Sequence, residues 1–189
     1  MIKGQDVVLL LKLIANPDAN KWTQSKLAEH LCMSVSTINS SLKRLSASRL
    51  LFYPITMNGK RSAVVSAVVI ESAYEFITCS IKYFFRQTYG EITSGIRTAH
   101  TAPIFENYLM QAEIMRVWPY AEGDTRGSAL LPLYPSVPKS VSKYPDEMFY
   151  NLLCLTDALR CDLYCREKKV VNDLLKNLIL GQNDNKQIV

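Results

Sequence analysis

At Leu51 the spacing of apolar residues switches from the period of a helix to that of a strand, and any fold for this chain has to accommodate the switch. Upstream, Val35, Ile38, Leu42 and Leu45 recur three or four residues apart behind Ser34, a good N-cap, and predict a helix. Leu27, Ala28 and Leu31 predict a shorter helix capped by Thr23, and "GQDVVLLLKLIA", Gly4 to Ala15, predicts one before it that Asn16-Pro17-Asp18 ends. Downstream, "LFYPIT" and "SAVVSAVVI" are β-prone runs on either side of Asn58-Gly59, a strong short-range hairpin signal. The order is therefore helix, helix, a tight turn at Cys32-Met33-Ser34, helix and hairpin.

The rest of the chain reads as mostly helical. "SAYEFITCSIKYFF", within Ser72 to Arg86, predicts a helix with Phe76, Ile77, Ile81 and Phe84 or Phe85 on its apolar side. Residues 87–144 hold most of the prolines and glycines and no steady period, which predicts loops with short strands or helices packed on the core. Pro145, in a first-turn position, opens a helix through "DEMFYNLLCLTDALR". A last helix from about Leu163 to Leu180 carries Val171, Leu174, Leu175 and Leu178 and stops at Gly181. The expected fold is mainly α with a small β-hairpin: an N-terminal domain over 1–71, a C-terminal helical domain over 72–182, and a disordered tail over 183–189.

A length of 189 residues with 48% hydrophobic content is enough to build a core. The longest apolar stretches, Val7 to Ile14 and Ala63 to Ile70, are interrupted or too short to cross a bilayer, and no secretory leader is expected. A soluble cytoplasmic protein without membrane contact is the expectation. Five cysteines, Cys32, Cys79, Cys154, Cys161 and Cys165, are an odd number and fit a reducing compartment. Cys161 and Cys165 would share one helix face, but tight CxxC pairing and a nearby histidine are lacking. The thiols are read as small hydrophobes, with neither metal nor cofactor expected.

Charge divides the chain unevenly. Residues 1–72 carry nine Lys or Arg against four Asp or Glu, while the remainder is balanced at thirteen of each, so the whole net charge of +5 sits in the first part. Such a distribution suits a polyanion-binding head on a neutral body. Ser34 and, on the outward side of the helix behind it, Ser36, Thr37, Asn39 and Ser40 are candidate DNA contacts, small enough to approach base edges and able to donate and accept hydrogen bonds. Lys43 and Arg44 follow one turn later, where phosphate contact is expected. Thr23, Gln24 and Ser25 can meet another phosphate, and Lys60 and Arg61 at the hairpin tip can reach the neighbouring minor groove. Taken singly, each residue has a plain reading as solvated surface.

The stretch "WTQSKLAEHLCMSVSTINSSLKRLSASRLL", followed by the Asn-Gly hairpin, resembles the DNA-binding part of MarR-like transcriptional regulators over roughly residues 5–70. The resemblance implies a winged helix-turn-helix and sequence-specific binding of double-stranded DNA by a regulator, expected to be a dimeric repressor. Candidate dimer surfaces are the stripe of the last helix and the apolar excess of the first, although burial within one chain explains both equally well. Beyond residue 72 the chain departs from the MarR pattern, so no effector pocket carries over. Two other readings stay open: a partner-binding, antitoxin-like protein whose winged helix regulates its own operon, and a small-molecule-responsive regulator. For the latter, Arg97, His100 and Arg126 are the candidate ligand residues. An enzyme is not expected, since the chain has two histidines, His30 and His100, and no Gly-rich phosphate loop, GxSxG or HExxH.

Overall fold

The computed structural model describes residues 1–18, 22–52, 67–87, 89–108, 114–161 and 165–181. It is mainly helical with a small three-stranded sheet. Helix α1, Gly4–Ala15, is apolar on nearly every side and is therefore buried on every side, with no residue from Asp6 to Ile14 reaching solvent appreciably. It packs between α3, Val35–Ala47, and the later helix α7, Glu147–Arg160, while α2, Gln24–His30, lies against α3. After α3 the chain reverses through Arg49, whose φ of 58° is left-handed. Leu51 then pairs antiparallel with Val68, flanked by hydrogen bonds from Phe52 N–H to Ala67 O at 2.9 Å and from Val69 N–H to Leu50 O at 3.0 Å. The base of the expected hairpin is thus present, whereas its tip, with Asn58-Gly59, Lys60 and Arg61, lies outside the described residues.

The helix expected from Ser72 begins slightly earlier and is interrupted. Helix α4, Ile70–Glu75, runs into a π turn, Phe76–Ser80, and then α5, Ile81–Phe84. The wider turn suits the four-residue spacing of Ala73, Ile77 and Ile81, which face the core. Of the two alternatives at the end of the apolar side, Phe85 packs against the core and Phe84 is exposed.

Within the irregular middle, β1, Tyr89–Arg97, runs antiparallel to both β2, Arg116–Pro119, and β3, Thr125–Leu130. Strands β2 and β3 touch in parallel at Arg116↔Ser128 and Val117↔Ala129, so the three strands close on one another. Gly95 stands opposite both Pro119 and Thr125, and a Cβ there would lie 2.0 Å from Trp118 O, so closure demands glycine.

Helix α6, Val137–Lys143, follows the sheet, and α7 and α8, Cys165–Ile179, are the last helices among the described residues. Pro145 is not in the first turn of α7 as expected. Asp146 is the N-cap, its Oδ1 accepting the Phe149 N–H at 3.0 Å, because a carboxylate satisfies an orphan helix donor directly. Cys161 is the extended C-cap of α7 and Cys165 the first residue of α8, so the expected shared helix face does not exist. Of the expected stripe of α8, Val171 and Leu175 are buried and Leu174 and Leu178 half-buried, while α1 is buried from Asp6 to Ile14, so much of both candidate dimer surfaces is taken up by packing within this chain. The expected tail over 183–189 lies outside the described residues.

One core joins the two halves, running from Val7, Leu27 and Leu42 through Ile77 and Trp118 to Leu152 and Leu175. A buried polar knot fastens α7 to the sheet. The Asp157 carboxylate accepts from Trp118 Nε1, Thr98 Oγ1 and Arg160, and Arg160 Nε donates to Phe85 O at 2.8 Å. Burial pushes the Asp157 carboxyl above its ordinary range, with Arg160, Trp118 and Thr98 pulling against it.

Candidate nucleic-acid interface

Local capping sets the angle at which α2 hands the chain to α3. Thr23 Oγ1 accepts the Lys26 N–H at 3.2 Å and starts α2, whose Leu27 and Ala28 point into the core. The Cys32 N–H and Met33 N–H bond back to Glu29 O and Ala28 O, and Cys32 adopts a left-handed φ of 51° that reverses the path without a glycine. Ser34 then caps α3 by accepting the Thr37 N–H at 3.1 Å, and its hydroxyl also meets those of Ser36 and Thr37. The signals for both caps were legible in the sequence, and both helices start where those caps place them.

Helix α3 buries Ile38, Ser41, Leu42 and Leu45 and turns Ser36, Ser40 and Lys43 fully outward, with Thr37 and Asn39 half-buried beside them. Ser36, Asn39, Ser40 and Lys43 are three or four residues apart and so form one outward face. Ser25 is exposed at the start of α2, but the Gln24 side chain turns toward α3, its Oε1 accepting from Asn39 Nδ2 at 3.1 Å.

Arg44 is placed differently from its sequence reading. Its Nε and Nη2 donate to Asp6 Oδ2 and Oδ1 at 2.7 and 2.6 Å, and Nη2 also reaches Ser41 Oγ. Asp6 is fully buried, so the guanidinium is drawn inward to neutralise it, and the hydrogen bonds from Arg44 to Asp6 raise the arginine's pKa further. The outward cation one turn after the serines is Lys43 alone.

The end of α2 is held by the rest of the chain, a connection sequence reasoning missed. Ser136 Oγ donates to Leu31 O at 2.6 Å and Ser140 Oγ to His30 O at 2.7 Å, satisfying carbonyls that a helix C-terminus leaves open. The His30 ring stacks on Tyr144 at 4.5 Å and meets Trp22 edge-on at 5.1 Å. Beside them Lys12 Nζ and Asn16 Nδ2 each donate to Asp146 Oδ2 at 2.7 Å. These groups line a cleft of about 510 Å³. Burial first, then the Lys12 charge, lowers the His30 pKa. Burial also acts upward on Asp146, but the hydrogen bonds from Lys12, Phe149 N–H and Asn16 outweigh it and hold that carboxyl low. A lysine inside "VVLLLKLIA" was the available signal, since a charge in an otherwise apolar helix requires a distant partner.

The three candidate ligand residues keep separate company. Arg97 pairs with Glu106 at 2.9 Å, and Arg126 is exposed on β3 opposite Ser94. His100 has Arg116 and Glu167 as its charged neighbours, and burial before all else lowers its pKa. Among the described residues no group of three or more His, Cys, Asp or Glu is arranged to hold a metal, and no helix is long and apolar enough to cross a membrane. No family model, curated relative or solved structure matches the chain.

Proposed function

We propose that this chain is a winged helix-turn-helix transcriptional regulator that binds double-stranded DNA sequence-specifically, as a repressor with two copies on each operator. The observation that carries the reading is the outward face of α3: small hydrogen-bonding residues at Ser36, Asn39 and Ser40 continue into the cation Lys43, over a buried ridge of Ile38, Leu42 and Leu45. Side chains this short let a helix backbone approach the floor of the major groove, and an asparagine can bond adenine N6 and N7 together. Lys43 then meets the phosphate flank, which fixes register without reading sequence. The localisation of the whole +5 charge in the first 72 residues supports the same head. Two copies are proposed because one helix reads only a few base pairs, and a two-fold site supplies the missing affinity and specificity.

Selection of genomic fragments by the purified chain, with the stoichiometry measured on the best site, tests this. A recurring two-fold motif bound by two chains is expected, with discrimination lost in Asn39→Ala. Absence of enrichment, together with binding to duplexes that neither Asn39→Ala nor Lys43→Ala alters, overturns the reading.

A further inference from the structure

We infer that two copies of this chain associate through the open edge at the start of β1 and the apolar side chains gathered beside it. The inference rests on the two-copy reading above and supplies a surface for it, since packing within the chain takes up α1 and much of α8. Strand β1 pairs with β3 at Tyr89 and from Ile92 to Gly95, whereas β2 reaches it only from Gly95 to Arg97. Among the described residues, the edge from Tyr89 to Thr93 that faces away from β3 therefore pairs with no strand. Tyr89, Gly90, Glu91 and Ile92 are all exposed, so the faces there are uncovered as well. Such an edge is a template for another strand, and Glu91 is the one charge among those four residues. The apolar surroundings are extensive. Helix α5 ends in Tyr83 and Phe84, and Gln87, three residues on, donates from its backbone to Arg160 O at 3.4 Å and from its side chain to Leu131 O. Leu131 follows Leu130, which stands opposite Tyr89. Tyr83, Phe84, Tyr89, Ile92 and Leu131 are each between 47 and 74% exposed. Taking a whole aromatic side chain as about 200 Å² and an aliphatic one as slightly less, they present roughly 600 Å² a copy. A pair covering them buries roughly 1,200 Å² besides the strand backbone, the low end of what a specific interface needs, which predicts a reversible dimer. A second copy is the fitting occupant because a two-fold axis sets a strand antiparallel to itself and brings one patch onto the same patch. This contact leaves the reading head free, since α3 packs on α1 and α2 while α5 packs on α7.

Sedimentation equilibrium of the full chain without DNA, from about 1 to 100 μM, tests the interface. The native chain is expected to pass from monomer to dimer over that range, and backbone amide exchange from Gly90 to Thr93 should slow as the dimer forms. Ile92→Lys, which brings two like charges together near the axis, and Phe84→Ser should each raise the dissociation constant at least about 10-fold with unchanged circular dichroism and melting of the monomer. Tyr108→Ser, an exposed aromatic residue outside the patch, should dimerise as the native chain does. A native chain that stays monomeric at every concentration, or a dimer that survives both Ile92→Lys and Phe84→Ser, overturns the inference and leaves the edge to a different partner. Failure of the DNA reading is distinguishable: a dimer lost in Ile92→Lys, from a chain that enriches no duplex, sinks that reading and leaves the interface standing.

Discussion

Arg44→Met is expected to lower stability by about 3 kcal/mol and to leave the salt dependence of DNA binding as it is. The figure follows from what the substitution strands. Asp6 is fully buried and receives two short hydrogen bonds from Arg44, so deleting the guanidinium leaves an uncompensated carboxylate, a loss of about 3–5 kcal/mol. The low end applies because Asp6 keeps the Lys3 N–H at 2.8 Å and the Arg44 side chain is 24% exposed, so water can enter where it stood. In a chain of this size the loss corresponds to roughly 6–12 °C in Tm. Urea unfolding followed by circular dichroism measures it, and the double variant Asp6→Asn/Arg44→Met, which has no buried charge to strand, should recover part of it. Lys43→Ala is the contrast: stability within about 0.5 kcal/mol of native, and a salt slope for DNA binding shallower by about 1. If Arg44→Met unfolds at the native midpoint and flattens the salt slope as Lys43→Ala does, Arg44 is a phosphate ligand and the buried pair is not its role.

Three further outcomes can be checked by unfolding alone. Cys32 has a left-handed φ of 51°, so Cys32→Val should cost about 1–2 kcal/mol while Cys32→Gly melts at or slightly above native, and equal melting of the two would remove the strain argument. Asp146 is held below its unfolded pKa, so its contribution is complete above about pH 3.9 and disappears as pH falls through the lower folded value. Asp146→Asn should therefore be less stable at neutral pH and show a flatter acid limb, and an unchanged limb in urea midpoints taken against pH would contradict this. His30 is also held low, so its neutral form stabilises the fold above about pH 6.5 and that stability is lost as pH falls through the folded value. His30→Phe keeps a ring against Tyr144 and should abolish this component; persistence of the same pH dependence would assign it to another group.

The helices around the candidate interface were legible because their signals are local. Thr23 and Ser34 cap from within a few residues, and Ile38, Leu42 and Leu45 declare a buried side whatever they pack against. The role of Arg44 was not legible, because from α3 alone a cation beside Lys43 looks like its neighbour. What distinguishes them is Asp6, thirty-eight residues earlier, whose burial draws the arginine inward. The same limit hid the pair of Lys12 with Asp146 and the closure of three strands on Gly95, both made between segments far apart in the chain.

By itself, then, the sequence determined the order of the first three helices, the turn at Cys32, the change to extended pairing at Leu51 and the outward serines of α3, since period and capping are properties of neighbouring residues. Only the tertiary structure decided which polar groups are free to meet a partner. Burial makes an unpaired charge or carbonyl costly, so Asp6 takes Arg44, the end of α2 takes Ser136 and Ser140, and Gln24 turns from solvent to Asn39. Those pairings leave Ser36, Ser40 and Lys43 facing outward, with the Asn39 amide set between them.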